Sequence, residues 1–400
     1  MSTDWKSMEN KYYMFAARRQ PIVLVRGEGT KLWDENGKEY LDFIAGWAVN
    51  NLGHCHPVIV EAVAQQARRL MQTSNQFYTI PQLQLAQLLV ENSCLDKVFF
   101  CNSGAEANEG AVKLARKYGK MYRNNAYEII TALNSFHGRT LAMVSATGQP
   151  HYQDTYLPIP EGFVNVAYND IDAIRAATTE KTVAVMLEVI QGEGGVNLPS
   201  PGYVKQVRRW CDEEGLLLIL DEVQTGLGRL GSLFGYQLFD AEPDIMTLAK
   251  ALGGGVPIGA LLAKEKASVF APGDHGSTFG GNALTCAAAY ASTKFIIDHD
   301  IPAHARQMGD YLKGKLKTMQ SNHEFIRDVR GMGLLIAVEF NSDMAASVVS
   351  FCNEGGLLLN PVRPNAIRIM PPLIVSPEDI DKALDILEMG LTKAARGRAS

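Results

Sequence analysis

Between residues 98 and 220 the chain alternates two kinds of apolar pattern. Short apolar runs at 98–100, 128–133, 183–187 and 216–220 stand among segments of helical period such as 57–70 and 202–213. A run that short reads as a buried strand, and strands alternating with helices need crossover connections. The pattern therefore predicts an α/β fold built on a mainly parallel sheet. Upstream, 31–34 and 39–42 flank Asn36-Gly37, a turn dipeptide suited to an antiparallel hairpin. Past Ala283 the chain predicts a helix to about 298, further helix, a strand at 334–340, short strands and a last helix over 377–394, which together read as a second, smaller α/β domain. A length of 400 residues also asks for two domains.

Composition narrows the function. A formal net charge of −5 and the lack of a basic stripe argue against nucleic-acid binding, which depends on a basic surface. Residues 1–11 are polar and lack the apolar core of a signal peptide, and no apolar run approaches a membrane span. A cytoplasmic protein is expected. Six cysteines without CxxC spacing read as reduced thiols. His54-Cys55-His56 is the one tempting metal cluster, but no second cluster has ligand spacing, so no metal is expected.

Three sites carry chemistry. Ser103-Gly104-Ala105-Glu106 follows the strand at 98–101 and opens a helix, with capping-box spacing between Ser103 and Glu106. Free backbone N–H groups there would bind a phosphate, and an ordinary capped helix has the same signature. Asp221 ends a buried-type strand, at the sheet edge where open α/β folds bind ligands. A carboxylate there would keep a pyridine nitrogen protonated, or simply cap the following turn. Lys250 has apolar neighbours on both sides and stands before Gly253-Gly254-Gly255. Desolvation would lower its pKa and favour Schiff-base chemistry. By contrast, Gly226-Leu227-Gly228-Arg229-Leu230-Gly231 matches a dinucleotide-binding string but does not start at a strand end or open a helix, so it reads as a loop.

Taken in order, Tyr40-Leu41-Asp42-Phe43, Leu52-Gly53-His54, Ser103-Gly104-Ala105-Glu106-Ala107-Asn108, Phe136-His137-Gly138-Arg139-Thr140, the EVIQGEGG stretch at 188–195, Asp221-Glu222-Val223-Gln224, Lys250 and Gly276-Ser277-Thr278-Phe279-Gly280-Gly281-Asn282 resemble the class III, fold-type I aminotransferases over almost the whole chain. The resemblance implies pyridoxal 5′-phosphate as cofactor. It implies a large mainly parallel sheet domain over 56–285, and a smaller α/β domain made from an N-terminal arm and segment over 1–55 and from 286–400. Cofactor contacts implied are Ser103, Gly104 and Ala105 at the phosphate, Phe136 stacked on the ring, and Glu188 and Glu222 nearby. Asp221 would meet the ring nitrogen, Val223 would pack beneath the ring, Gln224 would bond the phenolic oxygen, and Lys250 would form the Schiff base. Thr278 is similar to a threonine that reaches the phosphate from a partner subunit, which implies a homodimer with shared active sites.

Within the family the acetylornithine branch is most similar, through Ser74-Asn75-Gln76-Phe77-Tyr78-Thr79 and Asn360-Pro361 with Ile367-Arg368-Ile369-Met370-Pro371-Pro372-Leu373. That branch implies ping-pong transfer of a δ-amino group to 2-oxoglutarate, a step of arginine biosynthesis. Arg139 would clamp the α-carboxylate, with Ser277 beside the substrate; Arg368 would receive a carboxylate of glutamate or 2-oxoglutarate; Glu193 would pair with Arg368 when no carboxylate needs it. Trp47 and Ala283 depart from the branch pattern near the expected pocket, and Trp47 would narrow or reshape its entrance. Ornithine, 4-aminobutyrate or another ω-amine as donor, an aminomutase, and an NAD-dependent dehydrogenase built on the Gly226 string are the alternatives.

Overall fold

The structure is a computed structural model describing residues 4–399. Residues 1–3 and 400, at the outer ends of the expected spans 1–55 and 286–400 and of the polar N-terminus, lie outside the described residues.

Seven strands form the central sheet, in the order Lys97–Cys101, Gly259–Ala263, Ile245–Leu248, Leu217–Asp221, Thr182–Leu187, Glu128–Ala132, Phe163–Val166. From Ile245–Leu248 to Phe163–Val166 every pairing is parallel, as the alternation predicts. Gly259–Ala263 is the exception, antiparallel to both neighbours and not among the expected strands. Its five residues are all buried, so it lacks the in-out alternation that marks a half-buried strand. Leu217–Asp221 is also buried throughout and delivers Asp221 to the sheet's carboxyl edge.

Helices cover the sheet where the sequence expects them, with ends set by local chemistry. Tyr203–Glu214 stops at Gly215, whose φ of 64° supplies the left-handed turn that frees a helix terminus. The helix expected over 57–70 ends sooner, as Pro57–Ala67. The last helix runs on to 399 rather than stopping at 394.

Two four-stranded sheets lie outside the large one. The hairpin Lys31–Asp34 with Glu39–Asp42 forms as predicted around Gly37, with Asp34 Oδ1 accepting from Asn36 and Lys38 N at 2.9 and 3.0 Å. Leu357–Leu358 pairs parallel with Glu39–Asp42, so N- and C-terminal segments share this sheet. The other sheet, Ile326–Met332, Leu335–Phe340, Ala366–Ile369 and Asn360–Arg363, is antiparallel throughout and carries Arg368. Among the described residues no helix is long and apolar enough to cross a membrane.

Candidate active site

A cavity of about 490 Å³ opens at the carboxyl edge of the parallel strands, lined among others by Gly104, Phe136, Asp221, Val223 and Lys250. Each comes from a strand end or the turn after it, which is how residues far apart in sequence converge.

One wall is the start of the helix Gly104–Tyr122. Ser103 Oγ accepts from Glu106 N at 3.2 Å, half of the expected capping box. The other half differs: the Glu106 carboxylate turns to Asn102 N at 2.5 Å and Asn102 Nδ2 at 2.9 Å. A Cβ on Gly104 would lie 2.8 Å from Val223 Cγ1, so only glycine fits between the helix start and the loop after Asp221.

Asp221 is buried and fully engaged. Oδ1 accepts from Val223 N at 3.0 Å, and Oδ2 meets Asn108 Nδ2 and His137 Nδ1, each at 2.8 Å. Asn108 is in turn held by Thr247 Oγ1 at 2.6 Å and donates to His137 O at 2.7 Å. Burial works against a charged His137, but the Asp221 carboxylate and then Glu188 outweigh it and raise its pKa. Its Nε2 is buried without a partner. Glu188 ties two walls together, accepting from Phe136 N at 3.0 Å and Gly192 N at 3.2 Å, and burial pushes its carboxyl up to about 7.

Lys250 sits at φ 46°, a strained conformation for a non-glycine residue and one that costs roughly 1 kcal/mol. Its amine lines the cavity and makes no hydrogen bond or ion pair among the described residues. Burial is the first cause that lowers its pKa from 10.5; Glu193 pulls the other way and Arg368 adds to the lowering. An amine driven toward its neutral form is a nucleophile.

Beyond Lys250, Arg368 Nη1 lies 2.7 Å from Glu193 Oε1 and 3.1 Å from Gln224 Oε1, while Gln224 Nε2 donates to Glu193 Oε1 at 3.1 Å. Arg368 is fully buried, yet its Nε and Nη2 have no partner among the described residues. Burial opposes the charge on Glu193, but Arg368 and then Lys250 hold its carboxyl below the usual range. Arg139, exposed in the cavity lining, forms no ion pair among the described residues and lies over the Tyr152 ring at 3.9 Å.

Not every expected residue converges here. Glu222 points away: its carboxylate accepts from Gly235 N and, at 2.7 Å, from Tyr236 N, because successive residues at a strand end face opposite sides. Ser277 and Thr278 line separate cavities, the larger of about 740 Å³, and Ser277 Oγ is taken up by Asn102 Nδ2 at 3.1 Å and Gly280 N at 3.0 Å. Trp47 does not narrow the cavity of this chain; it is 59% exposed, on a turn where Ala45, Gly46, Trp47 and Ala48 all have positive φ, while Val49 lines the wall. Ala283 is likewise no part of that lining; it is buried at the first position of Ala283–Asp298, where the helix backbone is compatible with proline. His54, Cys55 and His56 diverge: His54 pairs with Asp42 at 2.6 Å, His56 packs on Phe295, and Cys55 is exposed. Asn108, His137 and Tyr152 are additions to the expected set, although His137 stands inside the Phe136 to Thr140 motif.

The residues present fit a phosphorylated pyridine aldehyde. An unpartnered lysine amine, a carboxylate fixed on three donors, an aromatic ring at one wall and a helix start that excludes a Cβ are the donor set such a molecule needs.

Fold and site together define a fold-type I, pyridoxal-phosphate-dependent transferase. The chain belongs to the class-III aminotransferases, whose family model matches residues 13–391. Over 381 residues it is 52% identical to the acetylornithine aminotransferase of Caldanaerobacter subterraneus subsp. tengcongensis, covering 95% of this chain and 97% of that protein. The crystal structure of ornithine aminotransferase from Toxoplasma gondii superposes with a TM-score of 0.95 at 34% identity, covering 99% of this chain and 97% of that one. The structure of acetylornithine aminotransferase from Elizabethkingia anophelis gives 0.88 at 36% identity, covering 97% and 98%.

Proposed function

We propose that this aminotransferase moves the δ-amino group of N2-acetyl-L-ornithine to 2-oxoglutarate, giving N-acetyl-L-glutamate 5-semialdehyde and L-glutamate, as in arginine biosynthesis. The observation that carries the choice of acceptor is the Glu193–Arg368 pair, a buried arginine whose charge is met by a partly exposed carboxylate at 2.7 Å. The donor is argued from the relatives, which act under the name acetylornithine aminotransferase at about half identity.

Pyridoxal 5′-phosphate, when bound, supplies an aldehyde that takes the amino group and a protonated ring that accepts electrons from the neighbouring carbon. Lys250 would hold it covalently through Nζ. Backbone N–H groups of Gly104 and Ala105, beside Ser103, would bind its phosphate. Phe136 and Val223 would enclose the ring, Gln224 would meet its phenolic oxygen, and Asp221, kept in place by Asn108 and His137, would hold a proton on the ring nitrogen. Glu188 fixes the backbone at Phe136 and Gly192 so that both walls keep their spacing. With its amine free, Lys250 would take a proton from the δ-carbon of the donor and, in the second half of the exchange, would deliver one to the reacting carbon of the acceptor. We assign Arg139 to the donor carboxylate and Arg368 to a carboxylate of the acceptor.

The reading extends to a cytoplasmic homodimer in which Ser277 and Thr278 serve the partner's site. Phe77, Tyr78, Ile80 and Phe279 are large apolar side chains left exposed in the single chain, which supports a second copy covering them. Free thiols at all six cysteines suit a reducing compartment. The expected spans 1–55, 56–285 and 286–400 remain the proposed domains.

The deciding experiment follows the visible cofactor band of the purified holoenzyme as each donor is added without acceptor. Rapid loss with N-acetylornithine and glutamate, and slow loss with ornithine and 4-aminobutyrate, is the expected result. The structural likeness to an ornithine enzyme makes ornithine the second candidate, and fast bleaching by ornithine alone would replace the substrate proposed here.

A further inference from the structure

The glycine string at 226–231 is not a dinucleotide site, yet it carries a fully buried arginine for which the proposed reaction has no task. Among the described residues Arg229 bonds only to uncharged oxygens: Nη1 to Leu334 O at 3.0 Å and Pro371 O at 2.6 Å, Nη2 to Asn51 Oδ1 at 2.6 Å. Its Nε has no partner. A guanidinium buried without a touching carboxylate is unfavourable, and an apolar residue would fill the space at lower cost if packing were all that was required. Burial pushes its pKa down to about 9, with Asp42 opposing and Arg368 adding to the push.

The partners show what the arrangement achieves. Pro371 stands just past the strand Ala366–Ile369, which carries Arg368. Arg229 stands just past Gln224, whose Oε1 meets Arg368 Nη1 at 3.1 Å. Two stretches of chain, 224–229 and 368–371, are thus joined at both ends, once by Gln224 with Arg368 and once by Arg229 with Pro371. Asn51 locks the same ring from a third segment, donating to Leu227 O at 2.9 Å while its own carbonyl accepts from Leu373 N at 2.7 Å. Leu334 N returns a bond to Arg229 O at 3.0 Å. The glycines permit this closeness: a Cβ on Gly228 would lie 2.8 Å from Leu373 Cδ1, and one on Gly231 2.9 Å from Arg306 Cβ.

We propose that Arg229 is a positioning residue that registers the strand bearing Arg368 against the loop bearing Gln224, so that Arg368 presents its guanidinium at one fixed place. Its consequence for catalysis rests on the reading of Arg368 as the acceptor's carboxylate site. Lysine at 229 keeps the charge but cannot fork between Asn51 and Pro371.

The test is the holoenzyme carrying Arg229→Lys, studied by crystallography and steady-state kinetics. Arg368 is expected to lose its 2.7 Å contact with Glu193. KM for 2-oxoglutarate should rise about ten-fold, while KM for the amino donor and kcat of the donor half-reaction change less than about three-fold. An Arg368 that keeps its place against Glu193 in that crystal overturns the proposal, whatever the kinetics. A displaced Arg368 with unchanged KM for 2-oxoglutarate upholds the positioning role and removes Arg368 from the acceptor site. Should Arg229→Lys not fold, Asn51→Ala removes one anchor only: a displaced Arg368 in its crystal supports the proposal, and an unmoved Arg368 overturns it.

Discussion

Glu193 Oε1 and Arg368 Nη1 stand 2.7 Å apart, and two other nitrogens of that arginine are buried without partners. On the proposed reading the pair would neutralise Arg368 when a donor brings one carboxylate and would open when an acceptor brings two. Replacing Glu193 by alanine leaves the cation permanently exposed to the cavity. A charge-assisted contact is worth about 1.5–3 kcal/mol, so kcat/KM for glutamate relative to N-acetylornithine should rise by roughly ten-fold or more in Glu193→Ala. Half-reaction kinetics on both donors measure this ratio. An unchanged ratio would show that Glu193 does not mask Arg368.

Lys250 presents a different balance, because its half-buried amine lines the cavity with no hydrogen bond among the described residues to offset the hydration it loses. Lys250→Met should remove every borohydride-fixed cofactor adduct and, at pH 7, stabilise the cofactor-free protein by roughly 1–3 kcal/mol. The folded pKa lies below the ordinary 10.5, so wild type recovers stability as pH rises toward 10.5 and the gap should narrow there. Urea midpoints at pH 7 and 10 check both statements. A less stable methionine variant would mean that the amine is better accommodated than its surroundings indicate.

Much of this site lies on the surface of the sequence for a physical reason. Strands alternating with helices fix where strand ends fall, and Asp221, Lys250 and the Ser103-Gly104-Ala105 turn are strand-end residues. What escaped is what sequence adjacency hides. Glu222 follows Asp221 in the chain and faces the other way. Asn108 and His137 reach Asp221 only after folding brings a helix and a loop across the sheet. The strand Gly259–Ala263 runs against its neighbours, with no alternation to announce it. The left-handed turn at Ala45–Ala48 is held by Asp42, whose Oδ1 accepts from Ile44 and Ala45 N at 2.9 Å, a stabilisation no propensity of alanine or tryptophan would suggest.

Buried carboxyls give the fold a distinct pH response. Glu222 is pushed up to about 7, chiefly by burial, with the N–H groups of Gly235 and Tyr236 pulling back; Glu188 also reaches about 7. Both keep their protons in the folded chain at pH values where the unfolded chain, titrating near 4.5, has lost them. The stability they lend is complete below 4.5 and is lost as pH rises through about 7. His137, also raised, loses its share above 6.5. Carboxyls held low, such as Asp244 and Glu193, titrate below this window and do not compensate. Cofactor-free protein should therefore be less stable at pH 8 than at pH 5, and Glu222→Gln should remove roughly 1–3 kcal/mol of that fall. Equal slopes for variant and wild type in urea titrations would contradict the assignment.

Arg139 supplies the last test, because its guanidinium rests over Tyr152 at 3.9 Å and has no carboxylate of its own. The ring limits the directions in which the side chain can swing and leaves its planar edge for a substrate carboxylate, a task lysine performs poorly. Arg139→Ala should raise KM for N-acetylornithine by a charge-assisted contact of about 2 kcal/mol, near thirty-fold, while barely affecting an amine that has no carboxylate. Tyr152→Phe keeps the aromatic face and should behave as wild type. Tyr152→Ala should weaken the same substrate by roughly two- to five-fold, the worth of an exposed cation–π contact. If Tyr152→Ala were silent while Arg139→Ala was not, the arginine would bind the carboxylate without being oriented by the ring.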